Sequence, residues 1–237
     1  MKTRVLFILI AIALAAVVTL AQIDRQSRLS PGYAAMVPAA FSASAARERS
    51  KLFLQLGDTQ SALAEARNQI FLRPMPAESL TILALSALQS GDAETGRLAL
   101  EAASRRGWRE PIAQLASGQG AFAQGAYDIA SQRVVALLST GNLAGEALAL
   151  NRQIVALPEG REATARSMAR FARWDANALI LASDVAEPRD WAATIAMALE
   201  NGADLSCSNL QRLVTKYRRT GDDDAALTIE TASADRC

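Results

Sequence analysis

Apolar residues form one uninterrupted run at the N-terminus of the chain. The run VLFILIAIALAAVVTLA, residues 5–21, carries no charge and follows a short basic segment that contains Lys2 and Arg4. At 1.5 Å per residue such a helix is about 26 Å long, slightly shorter than the roughly 30 Å hydrocarbon core of a bilayer. The pattern therefore predicts either a transmembrane anchor or a signal peptide cleaved near Ala21. In both cases the basic residues place the N-terminus inside and the rest of the chain across the membrane.

The polarity pattern changes after this run. Residues 23–42 mix polar and apolar positions and contain Pro31, Gly32 and Pro38. Because proline interrupts helical hydrogen bonding and favours extended steps, we expect a juxtamembrane linker with one short helix. Apolar and small residues then return at helical spacing for the rest of the chain. The expected segments are an anchor or signal peptide at 1–22, a linker at 23–42, regular hairpins at 43–140 and irregular helical hairpins at 141–237.

Glycine recurs with a period of 34 residues, at Gly57, Gly91 and Gly125, each time between two helical patterns. Each glycine is expected to end a helix in the left-handed conformation that glycine adopts most easily. Asp58 and Asp92 follow two of these glycines, where a short acceptor side chain can cap the next helix. A small residue five positions after each glycine predicts close packing of two antiparallel helices. These small residues are Ala62, Gly96 and Ala130.

The period, the turn glycines and the small residues together resemble the tetratricopeptide repeat, a helix–turn–helix unit of 34 residues. Further matching positions are Phe53 and Pro74 in the first unit, Leu80, Leu83, Ala84 and Ala103 in the second, and Gly118, Ala121 and Tyr127 in the third. Trp108 stands where the family usually has proline, and the family's large aromatic residue early in the first helix is missing. The resemblance covers about residues 43–140. It implies an all-α fold, an α-solenoid of tetratricopeptide-like hairpins preceded by the N-terminal hydrophobic helix.

The C-terminal part of the chain predicts further hairpins outside the strict period. Gly141 and Pro158 repeat the spacing of Gly57 and Pro74. The residues between them are therefore expected to form the second helix of a hairpin, shifted from the 34-residue period. Apolar residues at helical spacing, followed by Gly221, predict a C-terminal capping hairpin. These apolar residues are Leu210, Leu213, Val214 and Tyr217. We expect five or six hairpins in total.

The two cysteines of the chain fall at the ends of this terminal hairpin. Cys207 begins its first helix, and Cys237 follows the end of its second helix. Antiparallel helices bring these two ends to the same side, so we expect a disulfide between them in an oxidising compartment.

The resemblance also implies a binding surface, because the first helix of each tetratricopeptide hairpin lines the concave face. The family's partner-contacting positions fall on Arg47, Lys51, Gln55, Glu78, Thr81, Leu85, Gln89, Ile112, Leu115, Gln119 and Phe122. These residues imply a groove that changes from basic to polar to apolar and suits an extended or helical segment of a partner protein. The alternative is that Leu85, Leu115 and Phe122 pack against neighbouring helices.

Composition and motifs argue against catalysis, metal binding and nucleic-acid binding. Histidine is absent, which removes the commonest general base and metal ligand, and the net charge is only +1. The acidic residues 222–224 open a predicted helix, where the helix dipole accounts for them. We therefore expect no enzymatic activity, no metal, no cofactor and no nucleic-acid partner.

Two groups of arginines offer surfaces for an anionic ligand, although a solvated helix face fits the same spacing. The first group lies on one predicted helix and consists of Arg161, Arg166, Arg170 and Arg173. The second group surrounds Trp108 and consists of Arg105, Arg106 and Arg109. Trp108 either anchors a turn between repeats or stacks on a sugar or a partner's aromatic ring.

The sequence favours a non-catalytic adaptor that holds a partner protein at the periplasmic face of a bacterial inner membrane, anchored through residues 5–21. Cleavage near Ala21 would instead give a soluble periplasmic protein. The alternative function is glycan binding in envelope or exopolysaccharide assembly, through Trp108, Trp174 and Trp191 with the neighbouring arginines. Tryptophans clustered on one exposed face would favour glycan binding, whereas burial between hairpins would favour the adaptor.

Overall fold

The computed structural model describes residues 2–107, 109–170 and 176–237, and all regular secondary structure within these ranges is helical. The chain divides into two compact units, Met1–Glu110 and Pro111–Cys237. In each unit the helices pack in neighbouring pairs. The predicted fold class, an all-α α-solenoid of helical hairpins with an N-terminal apolar helix, is confirmed.

Unit 1 is built from an apolar helix and two hairpins. Its helices in chain order are α1 (Lys2–Gln26), α2 (Ala45–Leu56), α3 (Thr59–Leu72), α4 (Ala77–Gln89) and α5 (Ala93–Arg106). Helices α2 and α3 form the first hairpin, and α4 and α5 form the second. Helix α3 packs on α4, and the two first helices α2 and α4 also contact each other.

Unit 2 continues the pairing. Its helices are α6 (Pro111–Ala123), α7 (Tyr127–Thr140), α8 (Ala144–Val155), α9 (Pro158–Arg170), α10 (Ala176–Ser183), α11 (Pro188–Glu200), α12 (Cys207–Thr220) and α13 (Asp223–Ser233). The second helices α7, α9, α11 and α13 pack on one another in series, and so do the first helices α6, α8, α10 and α12. Helix α8 is therefore the first helix of its hairpin, and the prediction that it is the second helix of a hairpin is wrong.

The periodic glycines end their helices as predicted. Gly57, Gly91 and Gly125 have φ values of 76°, 89° and 73°, in the left-handed region that favours glycine. Gly96 shows why a small residue follows each turn, because a Cβ atom there would lie 2.5 Å from the Cγ atom of Leu88. The two helices of this hairpin approach each other more closely than a larger side chain allows.

Aspartates cap two of the second helices, also as predicted. The Asp58 carboxylate accepts a hydrogen bond from the backbone N–H of Ser61 at 3.1 Å, and Asp92 accepts one from Thr95 at 3.1 Å. Hydrogen bonds from Ser61 and Thr95 hold the pKa of each aspartate below its ordinary value. Both caps stabilise the charged form of the side chain at the positive end of a helix dipole.

Helix α1 is long and apolar enough to cross a membrane, and its apolar part is not buried against the protein. By length and composition it could be a membrane span or a signal sequence. Its last turns contact the rest of unit 1, where Asp24 is buried and Ile23 is partly buried. The apolar surface of α1 is therefore not covered by the described part of the protein.

The end of α1 is attached directly to the first hairpin. The Asp24 carboxylate accepts hydrogen bonds from the backbone N–H groups of Ser44 and Ala45, both at 2.8 Å, and so caps the N-terminus of α2. Arg28 donates to the Ser44 hydroxyl at 2.8 Å. These hydrogen bonds join the end of α1 to the start of α2, although Asp24 and Ser44 are 20 residues apart in sequence.

The segment predicted as a linker, residues 23–42, is folded against α2 and α3. It contains two short 3-10 helices, Pro31–Met36 and Ala39–Phe41. Arg49 of α2 donates to the carbonyl of Ala34 at 2.6 Å, and Asn68 of α3 donates to the carbonyl of Ala39 at 3.2 Å. The segment therefore positions α1 rather than separating it from the hairpins.

The C-terminal hairpin is closed by the predicted cysteine pair. Cys207 opens α12 and Cys237 lies beyond α13, and the two residues are at disulfide distance with Cα atoms 5.5 Å apart. A disulfide here is consistent with an oxidising compartment.

Candidate partner-binding surface

The predicted partner-binding residues of unit 1 form a network of paired charges on the first helices α2 and α4. The Arg47 guanidinium lies 2.7 Å from the Glu78 carboxylate and 2.7 Å from that of Glu48. The Lys51 ammonium lies 3.5 Å from both carboxylates. Two positive and two negative charges neutralise one another, so the surface is not the basic groove that the sequence suggested.

Glu110 adds a partly buried carboxyl group to this network. Burial raises its pKa above the ordinary value, and the negative charge of Glu78 raises it further. The positive charge of Lys51 and a hydrogen bond with Thr81 act in the opposite direction. Because this pKa is raised, the folded protein binds a proton at Glu110 more readily than the unfolded chain does, and protonation on acidification removes the repulsion between Glu110 and Glu78.

The remaining residues predicted on α2 and α4 differ in their accessibility. Gln55 and Gln89, which are 34 residues apart, are exposed near the C-terminal ends of the two helices, and Leu85 is half-buried. Thr81 is only 1% exposed, and its hydroxyl donates to the carbonyl of Ala77 at 3.3 Å. Thr81 therefore faces the interior and cannot contact a partner, which corrects its predicted role.

The predicted residues that follow belong to unit 2. Leu115 and Phe122 pack against the hydrophobic core of that unit, and the Phe122 ring lies 5.9 Å from the ring of Tyr127. The packing alternative is therefore correct for these two apolar residues. Gln119 and Ile112 are exposed on α6.

The first helices of unit 2 also form a basic cleft, at positions that the repeat pattern does not predict as a binding surface. It has a volume of about 750 Å³ and lies between α10 and α12. Lys216 is paired there with Asp184, whereas the exposed side chains of Arg212 and Arg219 form no ion pair with the residues that the structure describes. The sequence pattern that indicates this cleft is the spacing of the three basic residues on α12. They are four and three residues apart and so share one face of the helix, opposite its apolar residues.

Arg161, the first of the α9 arginines, has a structural role. Its guanidinium donates to the carbonyl of Val155 at 3.0 Å and pairs with Asp190 at 2.8 Å. Arg161 thereby provides a hydrogen-bond donor for a free carbonyl at the C-terminal end of α8 and connects this end to α11.

The other α9 arginines lie beside a second cleft. Arg166 pairs with Asp128 at 3.0 Å, and Arg170 is exposed. Both line a cleft of about 760 Å³ between α7 and α9. Arg173 lies outside the described residues.

Trp191, the tryptophan within the described residues, does not support glycan binding. Trp191 is fully buried in the core of unit 2, and its indole N–H donates to the carbonyl of Leu179 at 3.3 Å. Trp108 and Trp174 lie outside the described residues. Trp191 therefore has no face on which a sugar could stack.

The arginines near position 108 make local contacts. Arg106 donates to the carbonyl of Pro74 at 2.6 Å, and Arg105 pairs with Glu101 one turn earlier. Arg109 is exposed. Arg106 joins the end of α5 to the turn before α4 and so stabilises the second hairpin.

The acidic residues at the start of α13 also make separate contacts. Asp222 accepts a hydrogen bond from Thr220 at 2.6 Å, and Asp224 pairs with Arg189 at 3.2 Å. Among the described residues, no group of three or more cysteine or acidic side chains is placed to hold a metal ion.

Comparison with known proteins gives no identification, since the sequence matches no family model and no curated protein. The structure itself shows stacked helical hairpins with an apolar N-terminal helix.

Proposed function

We propose that this chain is a non-catalytic, tetratricopeptide-like adaptor of bacterial type. Helix α1 anchors it in the inner membrane, and the rest of the chain lies in the periplasm. The first-helix surface of unit 1 binds a segment of a partner protein.

The observation that carries the proposal is the attachment of α1 to the first hairpin. The Asp24 carboxylate caps α2 through two backbone hydrogen bonds, so an exposed apolar helix and a hairpin stack form one continuous structure. A membrane is the environment that covers an apolar helix of this length. The hairpins are then held at the membrane surface without a free linker.

The surface on α2 and α4 has the properties of a polar docking site. Gln55 and Gln89 present amide groups that donate and accept hydrogen bonds, and the paired charges of Arg47 and Glu78 lie on the same helices. Such a surface recognises a partner segment by polar complementarity and gives specificity more than raw affinity.

The cysteine pair supports the proposed compartment. Cys207 and Cys237 lie at disulfide distance, and disulfides persist in the bacterial periplasm but are rare in the cytosol. The basic residues before the apolar run support the same orientation.

The test is partner recovery from the protein's own cells. The tagged full-length chain is cross-linked briefly, purified in mild detergent and compared with the variants Gln55→Lys and Gln89→Lys. We expect one envelope protein at near-stoichiometric yield, and about a tenfold weaker recovery with each variant, equivalent to ~1.4 kcal/mol.

Gln60→Lys is the matched control, because Gln60 is an exposed glutamine on the second helix α3. Equal recovery with all three variants would show that the partner does not bind the first-helix surface. Recovery of an anionic polysaccharide without a protein would favour the second candidate, glycan binding. Its supporting observation is that Arg212 and Arg219 of the α10–α12 cleft form no ion pair within the described part of the chain.

A further inference from the structure

The end of unit 1 from which α1 leaves exposes several large apolar side chains. Phe71 is 84% exposed and Leu29 is 81% exposed. We name the set the apolar end, and it consists of Leu29, Tyr33, Met36, Phe41, Phe71 and Met75. Single exposed apolar residues are normal on a protein surface, but several at one end mark an interaction site.

The contacts of unit 1 bring the segments that carry these residues to one end of the unit. The 3-10 helices Pro31–Met36 and Ala39–Phe41 both contact α1. Asn68, one turn before Phe71, donates to the carbonyl of Ala39 and brings the C-terminal end of α3 to the same place. Because α3 runs back along α2, it ends beside the α2 N-terminus that Asp24 caps.

Basic side chains accompany the apolar ones. Arg28 and Arg73 line a cavity of about 160 Å³ at this end, together with Ser44 and the paired Arg47 and Glu78. Arg73 is exposed and forms no ion pair with any described residue. A guanidinium group next to exposed apolar residues suits a lipid phosphate above an acyl chain.

We propose that the apolar end lies on the bilayer that α1 crosses. Its large apolar side chains enter the boundary between headgroups and acyl chains, and Arg28 and Arg73 contact lipid phosphates. The proposal rests on the proposed membrane anchoring by α1. It follows from continuity, since a bilayer that covers the exposed apolar surface of α1 reaches the two 3-10 helices that contact this helix and the end of α3 beside them.

This contact fixes the orientation of the partner-binding surface. Helix α2 begins at the apolar end, and Ser79 in the first turn of α4 lines the same cavity as Arg73. Gln55 and Gln89 lie at the opposite ends of these helices. They therefore point away from the membrane, into the aqueous compartment where a partner is available.

Tryptophan fluorescence in vesicles tests the contact. The full-length chain is reconstituted in phosphatidylethanolamine and phosphatidylglycerol whose acyl chains carry bromine, a contact quencher. A tryptophan is introduced by Phe71→Trp or Met36→Trp, and the signal of the unaltered chain is subtracted. We expect about a twofold loss of the added fluorescence in brominated vesicles, because tryptophan at these positions lies in the lipid interface.

Two further positions make the result decisive. Leu56→Trp is the matched control, since Leu56 is 70% exposed at the far end of α2 and should keep its fluorescence. Leu14→Trp reports on α1 itself and should be quenched.

Each outcome has a distinct meaning. Quenching at positions 14, 36 and 71 but not at 56 supports the proposal. Quenching at 14 alone retains the membrane anchor and overturns the contact, leaving the apolar end to water or to a protein. Equal quenching at 56 and 71 also overturns it, and absence of quenching at 14 refutes the anchor on which it rests.

Discussion

At the scale of single residues, Gly160 shows how closely two helices approach in unit 2. It is buried in the first turn of α9, and a Cβ atom added there would overlap the backbone carbonyl oxygen of Ile154 in α8. A backbone carbonyl cannot move aside as the end of a side chain can, so only glycine fits. Gly145, in the first turn of α8, has open space around the corresponding position.

These two glycines give a matched pair of variants. We expect Gly160→Ala to destabilise the protein by about 3 kcal/mol, on the order of 6–12 °C in Tm. Gly145→Ala should stabilise the protein slightly, by up to about 1 kcal/mol, because alanine favours the helix. Thermal unfolding followed by circular dichroism measures both, and an unchanged Tm for Gly160→Ala would refute the steric argument.

The sequence reveals some of these residues and not others. The periodic Gly57, Gly91 and Gly125 were predicted correctly because a turn that requires left-handed backbone leaves a local signal. Gly160 has no such signal, since its constraint comes from a neighbouring helix. The same limit applies to Thr81, whose position in the repeat does not reveal that it is buried.

At the scale of helices, periodicity predicts the hairpins but not how they are joined. The sequence predicts the wrong place in its hairpin for the helix between Gly141 and Pro158. That place is decided by the packing of α7 on α9, which leaves no local pattern in the sequence. The attachment of α1 was missed for the same reason. Asp24 and Ser44 are far apart in sequence, and the prolines between them suggested a free linker.

The cap at Asp24 makes a prediction about α2. In Asp24→Ala the backbone N–H groups of Ser44 and Ala45 lose their acceptor, and we expect a loss of about 1–2 kcal/mol in stability. Asp24→Asn keeps an acceptor oxygen and should lose less. Hydrogen exchange at these two amides measures the effect, and equal protection in all three proteins would contradict the proposed cap.

At the scale of the whole molecule, the proposed membrane anchor predicts that α1 remains attached. The possible cleavage site near Ala21 lies within α1, and Asp24, three residues later, supports the first hairpin. Cleavage would leave the last turns of α1 as a short helix that is unstable by itself. Retention would keep the hairpins at the membrane surface, as the proposed adaptor function requires.

The most direct test is the intact mass of the protein isolated from its own membrane fraction without reductant. The proposed anchor predicts a mass that includes residues 1–21 of α1, and the disulfide between Cys207 and Cys237 predicts that reduction raises this mass by two hydrogens. A chain that begins at Gln22 and is found in the soluble periplasmic fraction would contradict the account, because nothing would then hold the hairpins at the membrane.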